Sequence, residues 1–156
     1  MKFIIHVLLI LSCGCFIGCH SGTESKSKSE SEKAYKLAES TLFENYQSPD
    51  VRVAKKALID YRQTVIATKG FDGYVDVTKS LYLSDARLMM LCQVTGATNE
   101  AAQWYASYLT NLNKVRTRDG QDYYKPSIDE VISTFTKLDN TADVKWRAAL
   151  DRGTNK

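Results

Sequence analysis

Cysteine and histidine, the side chains that carry much of enzyme chemistry, are few in this 156-residue chain and gather at its N-terminus. The cysteines are Cys13, Cys15, Cys19 and Cys92, and the histidines are His6 and His20. From residue 21 onward the sequence has no histidine, which excludes a Ser–His or Cys–His nucleophile pair and a histidine metal site from that part. It also lacks a glycine-rich phosphate loop. The sequence therefore predicts no enzyme, no metal and no cofactor.

Carboxylates are the remaining candidates for catalysis, because two converging acids can hydrolyse glycosidic or peptide bonds. The 18 acidic residues are scattered along the chain, and most are expected at helix caps or on solvated helix faces. A hydrolase that attacks envelope polymers with paired carboxylates therefore stays open as an alternative function. It would require two acidic side chains in one cleft.

The N-terminal segment has the layout of an export signal. Lys2 precedes the apolar run Phe3–Leu11, and small residues such as Ser12 and Gly14 follow it. This run is shorter than the roughly 20 apolar residues that a membrane-spanning helix needs. The sequence Phe16-Ile17-Gly18-Cys19 resembles the lipobox of bacterial lipoproteins, where an apolar and a small residue precede an acylated cysteine.

This resemblance implies that residues 1–18 are a signal peptide and that Cys19 carries a diacylglycerol and an amide-linked acyl chain. More than one acyl chain gives stable membrane attachment. His20, rather than aspartate, follows Cys19, which by analogy favours the outer membrane, facing the periplasm or the cell surface. Lipidation at Cys13, an uncleaved membrane anchor and a soluble secreted product remain alternatives.

The segment after Cys19 is polar and charged. Residues 20–33 interleave serines with lysines and glutamates, and such a composition cannot bury enough apolar surface to order itself. We therefore predict a disordered tether over residues 19–33. A single domain is expected to follow over residues 34–156.

From Ala34 onward, apolar residues recur with helical spacing, and alternation of period two is nowhere sustained. Ser48-Pro49-Asp50 and Ser127 are typical of helix starts, whereas Gly70 and Gly96 are typical of helix ends. The pattern predicts an all-α domain of about six helices. The first helix begins near Ala34, and the next three cover residues 49–69, 75–95 and 99–115. A fifth begins at residue 127, and a short last helix covers about 144–150. Short connections between the first four favour two antiparallel hairpins.

The stretch from Leu88 to Leu109 resembles one tetratricopeptide repeat. Gly96 corresponds to the turn glycine, and Leu88 to a core leucine of the first helix. Ala101 corresponds to the small residue at the helix crossing, and Tyr105 to the aromatic residue one turn later. The resemblance implies stacked helical hairpins that present a binding surface.

A second stretch of the chain resembles the repeat less closely. Ala57, Tyr61 and Val65 repeat the spacing of Ala101, Tyr105 and Leu109, but 44 residues earlier rather than at the family's period of about 34. The chain departs from the repeat pattern at Asp85, Tyr108 and Asn113. A generic small helical bundle therefore stays open beside a repeat-like body.

The predicted loop from Asn113 to Lys125 is the main candidate for a contact surface. It combines basic and aromatic side chains, which are favoured at protein interfaces: Lys114, Arg116, Arg118, Tyr123 and Tyr124. Trp104 is a further candidate, because it lies off the apolar stripe of its helix. The alternative is a helix end with a turn at Asp119-Gly120, whose basic residues complement the helix dipole.

Cys92 and the net charge narrow the possible chemistry further. Cys92 lies in an apolar stretch without neighbouring cations, so we predict a buried residue rather than a reactive thiol. A net charge of +3 is too small to favour binding to nucleic acid.

The expected function is therefore that of a lipid-anchored envelope protein that binds another envelope protein, as an assembly, stabilising or exclusion factor. A purely structural surface lipoprotein is a further alternative, and the sequence leaves the oligomeric state open.

Overall fold

Seven α-helices make up the computed structural model, which describes residues 21–72 and 75–153. No strand occurs in those two ranges, so the prediction of an all-α protein is confirmed. The helices are α1 Ser21–Asn45, α2 Val51–Ala67, α3 Lys69–Asp72, α4 Val77–Val94, α5 Thr98–Arg118, α6 Ile128–Ser133 and α7 Lys137–Asp151. The difference from the expected six is α3, a four-residue turn in which Lys69, Gly70 and Phe71 have positive φ rather than the angles of a right-handed α-helix.

Helix α4 occupies the centre of the bundle and packs against α2, α5, α6 and α7. The α4–α5 pair is antiparallel, because Asp76 before α4 contacts Arg118 at the end of α5, while Tyr82 meets Tyr108 farther along. Helices α1 and α2 form a second antiparallel hairpin, in which Tyr35 of α1 contacts Tyr61 near the end of α2. Both predicted hairpins are therefore present.

Two groups of buried residues form the core. The larger one joins α1, α2, α4 and α7 and includes Tyr46, Leu58, Leu88 and Trp146. Within this group, the rings of Tyr46 and Trp146 meet edge to face, with centroids 5.4 Å apart. The smaller group joins α4, α5 and α6 around Met89 and Val131, among others. The short C-terminal helices thus close the core on α4 rather than form a separate layer.

The structure corrects the prediction of a disordered tether, because residues 21–33 belong to α1. Tyr35 is the first of the described side chains in α1 to be buried, and the helix from there to Tyr46 is fixed by packing. Extending an existing helix costs far less than nucleating one. Charged pairs four residues apart, such as Glu32 with Lys36 at 2.5 Å, also favour the extension.

The connection from α2 to α4 contains three successive residues with positive φ. Lys69, Gly70 and Phe71 have φ values of 48°, 65° and 58°, and the Gly70 carbonyl accepts a hydrogen bond from the Val75 amide at 2.9 Å. A Cβ atom at Gly70 would lie 2.3 Å from the carbonyl oxygen of Val75, so only glycine fits there. The glycine-based break predicted after the second helix is confirmed.

Several helix boundaries differ from the predicted ones. Helix α5 continues to Arg118, so the predicted loop is helical over its first six residues, 113–118, and irregular only afterwards. The Ser127 side chain and Glu130 form the predicted capping box at the start of α6. The last helix is longer than expected, because Thr136 and Asp139 form a second capping box before α7. The Val144 side chain of this helix is exposed.

Candidate functional site

The predicted contact residues at the end of α5 form an ordered surface. The guanidinium of Arg116 lies 4.8 Å from the ring centroid of Tyr124, and the Tyr124 amide donates to the Asn113 side chain at 3.0 Å. Arg118 pairs with Asp76 at 2.8 Å, across the end of the α4–α5 hairpin. Lys114 and Tyr123 are exposed. The segment after α5 thus folds back onto the end of the helix. We use the name α5 end patch for the predicted contact residues there: Lys114, Arg116, Arg118, Tyr123 and Tyr124.

Trp104 does not belong to this patch. It precedes Arg116 by 12 residues on the same helix, a rise of about 18 Å. Its ring lies 5.5 Å from the guanidinium of Arg62, its indole nitrogen donates to Glu100 at 3.4 Å, and it packs against both core groups. Trp104 is therefore a partly buried packing residue, and the structure does not bring it together with the other predicted contact residues.

A groove runs along the outer face of α4 and was not foreseen from the sequence. It consists of two cavities that share Leu83 and Arg87 of α4. The first, of about 90 Å³, lies toward α1 and is also lined by Leu42, Phe43 and Tyr61. We call this pair of cavities the α4 groove.

The second cavity of the groove is larger, about 150 Å³, and lies toward α5, α6 and α7. One part of its lining is apolar and aromatic, from Tyr82, Leu83, Ala86, Tyr108, Val131 and Phe135. The other part is polar and contains Arg87, Asp139 and the threonines that precede α7. Burial, with neighbouring tyrosines, raises the pKa of Tyr108 to about 12, so its hydroxyl stays neutral.

Large apolar side chains are exposed at the groove. Phe43 on the α1 wall is 61% exposed and Leu83 on the floor is 48% exposed. Single exposed apolar residues are common on protein surfaces, but these two line one concave feature. Sequence reasoning missed them because Leu83 and Phe43 look like ordinary members of their helices until the neighbouring elements are placed.

Arg87 and Asp139 form the polar end of the groove. The Arg87 Nε donates to Asp139 Oδ1 at 2.8 Å, and Tyr46 donates to the same oxygen at 2.8 Å. Asp139 Oδ2 accepts from the amide and the hydroxyl of Thr136 at 3.0 and 2.7 Å. Burial would raise the pKa of Asp139, but these hydrogen bonds outweigh it and hold the pKa below its ordinary value.

A second buried carboxylate, Asp85, lies elsewhere in the bundle and is equally well paired. Its oxygens accept hydrogen bonds from Arg62 at 2.7 Å, Ser107 at 2.7 Å and Asn111 at 2.9 Å. A polar network around Asp85 therefore lies inside the bundle.

Neither buried carboxylate has the environment of a general acid. Such an acid needs a raised pKa and a free path to the substrate. Burial would raise the pKa of Asp139, but its hydrogen bonds, that from Arg87 among them, hold it below its ordinary value. Both oxygens of Asp85 are occupied by hydrogen bonds within the bundle, so this fully buried carboxylate has no free path to a substrate. In residues 21–72 and 75–153, no three acidic, cysteine or histidine side chains gather as a metal site would require.

The predicted lipidation site, Cys19, and the signal segment 1–18 lie outside the residues that the structure describes. Among the helices of the described part, none is both long and apolar enough to cross a bilayer. No protein-family model, no curated protein and no solved structure matches the chain. The site is therefore interpreted from its own chemistry.

Proposed function

We propose that this chain is an exported lipoprotein, attached to an envelope membrane through Cys19, whose helical body binds another envelope protein in the α4 groove. The observation that carries the binding role is the pair of exposed apolar side chains, Phe43 and Leu83, on a concave surface. Apolar pockets that exclude water are where protein interfaces gain most of their affinity. The lipobox-like sequence that ends at Cys19 supports the anchor.

Helix α1 connects the proposed anchor at Cys19 with the α4 groove. It begins two residues after Cys19, and its later residues Glu39, Leu42 and Phe43 form one wall of the groove. Along the helix, Glu39 lies 18 residues after Ser21, a rise of about 27 Å. A groove on a helix that begins two residues after the anchor would stay near the membrane surface, where a membrane-embedded or membrane-bound partner is concentrated.

The anchor is tested by metabolic labelling with radioactive palmitate in bacteria that express the chain. We expect label in the wild-type protein and in Cys13→Ala, and none in Cys19→Ala. Cys13→Ala is the matched control because Cys13 is the competing acylation site. Label that persists in Cys19→Ala, or its absence from the wild type, would disprove anchoring at Cys19.

The interaction role is tested by crosslinking in intact cells, followed by mass spectrometry of the recovered complexes. A specific envelope protein should be recovered with the wild-type chain and lost or reduced with Cys19→Ala. If the wild-type chain fractionates with membranes but enriches no partner, the chain is instead a structural surface lipoprotein. A polymer hydrolase would have to act without Asp85 and Asp139, which already form ion pairs with arginine.

A further inference from the structure

The α4 groove is self-complementary in shape, because an exposed aromatic ring lies beside a cavity of the size of one. Phe43, which is 61% exposed, lies on the α1 side of the groove. The larger cavity lies on the other side, and its volume of about 150 Å³ matches that of a protein cavity that holds benzene. It opens to the surface, because Thr134 and Thr136 in its lining are exposed. Leu83 and Arg87 line both cavities and so mark the boundary between the two sides.

Helices α1 and α4 run in the same direction on either side of the smaller cavity. The ring of Tyr35 on α1 stacks on that of Phe71, which precedes α4, with centroids 6.5 Å apart. Eleven residues later on α1, the Tyr46 ring lies 5.1 Å from the guanidinium of Arg87, well inside α4. Since α1 begins next to the proposed anchor, the first turns of α4 lie on the side of the bundle from which the anchor extends.

The Phe43 ring and the larger cavity lie at the same level along α4. Phe43 shares the smaller cavity with Leu83 and Ser84, and the larger cavity is lined by α4 residues between 82 and 87. A two-fold axis parallel to α4 exchanges the two sides of the groove and brings the same patch of each copy together. It therefore places each Phe43 ring over the larger cavity of the other copy and Leu83 against its counterpart. Both α1 helices then point the same way, so both anchors reach one membrane.

The charges that flank the groove are complementary under the same symmetry. Glu39 lines the α1 side, and Lys79, exposed and three residues before Tyr82, belongs to the face of α4 on the other side. None of the ion pairs within the described ranges includes Glu39 or Lys79. Exchange of the two sides brings Glu39 of one copy toward Lys79 of the other. Arg87 near the axis does not oppose the pairing, because Asp139 neutralises it at 2.8 Å.

The area of the contact suits a pair that forms on a membrane. About three turns of α4 and the elements on either side of it make up the face, which corresponds to roughly 400 Å² per copy. Stable complexes in solution bury about 800 Å² per partner. Anchoring in one membrane concentrates and orients the copies, which reduces the entropy that association costs. We therefore expect the pair in membranes and mainly monomers in dilute solution.

We infer that a second copy of this chain occupies the α4 groove when no other partner is bound. In this pair, the Phe43 ring of each copy fills the larger cavity of the other, Leu83 packs on its counterpart, and Glu39 pairs with Lys79. Each copy thus completes the site of the other. The inference rests on the proposed function for the anchor and the groove. It adds a level of control, because a different envelope protein must displace the second copy before it can bind.

The test uses the full chain, expressed and anchored in bacterial membranes, with single cysteines joined by a short bismaleimide reagent. Leu83→Cys lies on the axis and should crosslink to its counterpart in another copy. Val144→Cys is the matched control for chance collisions, because Val144 on α7 is 66% exposed but lies outside the groove. We expect at least several-fold more dimer from Leu83→Cys. The unmodified chain gives the background from Cys92, which is buried.

Second substitutions in the Leu83→Cys chain test the contacts themselves. Phe43→Ala leaves the larger cavity empty and should lower crosslinking several-fold. Glu39→Lys and Lys79→Glu each bring like charges together and should also lower it. The two charge substitutions combined restore opposite charges, so crosslinking should recover. That recovery would also show that the single charge variants are folded.

The inference is overturned if Leu83→Cys forms no more dimer than Val144→Cys, if Phe43→Ala leaves the dimer unchanged, or if the combined charge variant does not recover. Crosslinking of Leu83→Cys to a different protein and never to its own copy would also overturn it, but would leave the proposed binding role of the groove intact. A dimer that responds as expected, in cells where no envelope partner is recovered, would support the pair and count against the proposed function.

Discussion

Arg62 and Asp85 are joined by a hydrogen bond of 2.7 Å between Nε and Oδ1 inside the bundle. Arg62 lies on α2 and Asp85, which is fully buried, on α4. The second oxygen of Asp85 accepts from Ser107 and Asn111 of α5, so a single carboxylate connects three helices. Such a network fixes the relative positions of the helices, because an alternative packing would leave a buried charge without partners.

Asp85→Ala should therefore destabilise the protein strongly. Removing one partner of a buried ion pair leaves an uncompensated charge and unsatisfied donors, and we expect a loss of about 3–5 kcal/mol in the free energy of unfolding. Urea unfolding followed by circular dichroism measures it. Asp60→Ala is the control, because Asp60 pairs with Lys56 on the surface and should cost less than about 1 kcal/mol. Equal losses in the two variants would refute the importance of the buried network.

Asp139 should make the free energy of unfolding depend on pH, with lower stability in acid. Its pKa is lower in the folded state than the ordinary carboxyl value of about 4. The ionised form therefore stabilises the fold fully above roughly pH 4, and this contribution is lost as the pH falls through the folded-state pKa. The difference in unfolding free energy between wild type and Asp139→Asn should be constant from pH 7 to about 5 and shrink below 4. A difference that does not vary with pH would contradict this assignment.

Two glycines with similar positive φ values should tolerate substitution differently. Gly70 and Gly120 have φ values of 65° and 70°. In Gly120→Ala the new Cβ meets no atom within 4 Å, so we expect a loss of about 1–2 kcal/mol from the conformation alone. In Gly70→Ala the Cβ also meets the Val75 carbonyl oxygen and a Val77 methyl group, so the loss should be clearly larger. Thermal unfolding of the two variants gives the comparison.

The helices were predictable because their determinants are local. Apolar spacing, the capping residues around Ser127 and the glycines at the turns lie within a few residues of the features that they define. The extent of α1 was not predictable from composition, because a polar segment becomes helical only when a packed helix follows it. At the α5 end, the sequence left a surface loop and a helix end with a turn at Asp119-Gly120 both open, because basic residues suit either. The structure has the helix end.

The α4 groove depends on contacts between distant parts of the chain. Asp139 reaches Arg87 from 52 residues away and Tyr46 from 93 residues away. No local pattern indicates that these residues meet, and an arginine on a helix is usually read as a solvated charge. Asp85 likewise gave no local signal, because its partners Arg62, Ser107 and Asn111 lie 22 to 26 residues away along the chain.

Cys92 should be almost unreactive in the folded protein. Burial, with a further contribution from Glu100, raises the pKa of its thiol to about 11, so little thiolate exists at pH 8. In a variant whose other cysteines are replaced by serine, a thiol reagent should label Cys92 slowly. Urea at a concentration that unfolds the protein should make labelling fast and stoichiometric. Rapid labelling without urea would show that the surroundings of Cys92 open readily.

The α5 end patch and the α4 groove make competing predictions for partner recovery in cells. Three of the patch residues already have partners within the chain: Arg116 stacks on Tyr124, and Arg118 pairs with Asp76 before α4. A triple substitution of Arg116, Arg118 and Tyr124 by alanine should therefore leave crosslinking nearly unchanged.

The groove variant Leu83→Lys should reduce partner recovery at least several-fold, because it places a charged chain over the apolar floor. Quantitative mass spectrometry, normalised to the amount of each variant in the membrane fraction, separates lost binding from lost protein. If the triple variant loses the partner and Leu83→Lys keeps it, the contact surface is the α5 end patch. A protein interface depends on a few apolar contacts buried at its centre, and in the described part of the chain the α4 groove has exposed apolar side chains on a concave surface, at Phe43 and Leu83.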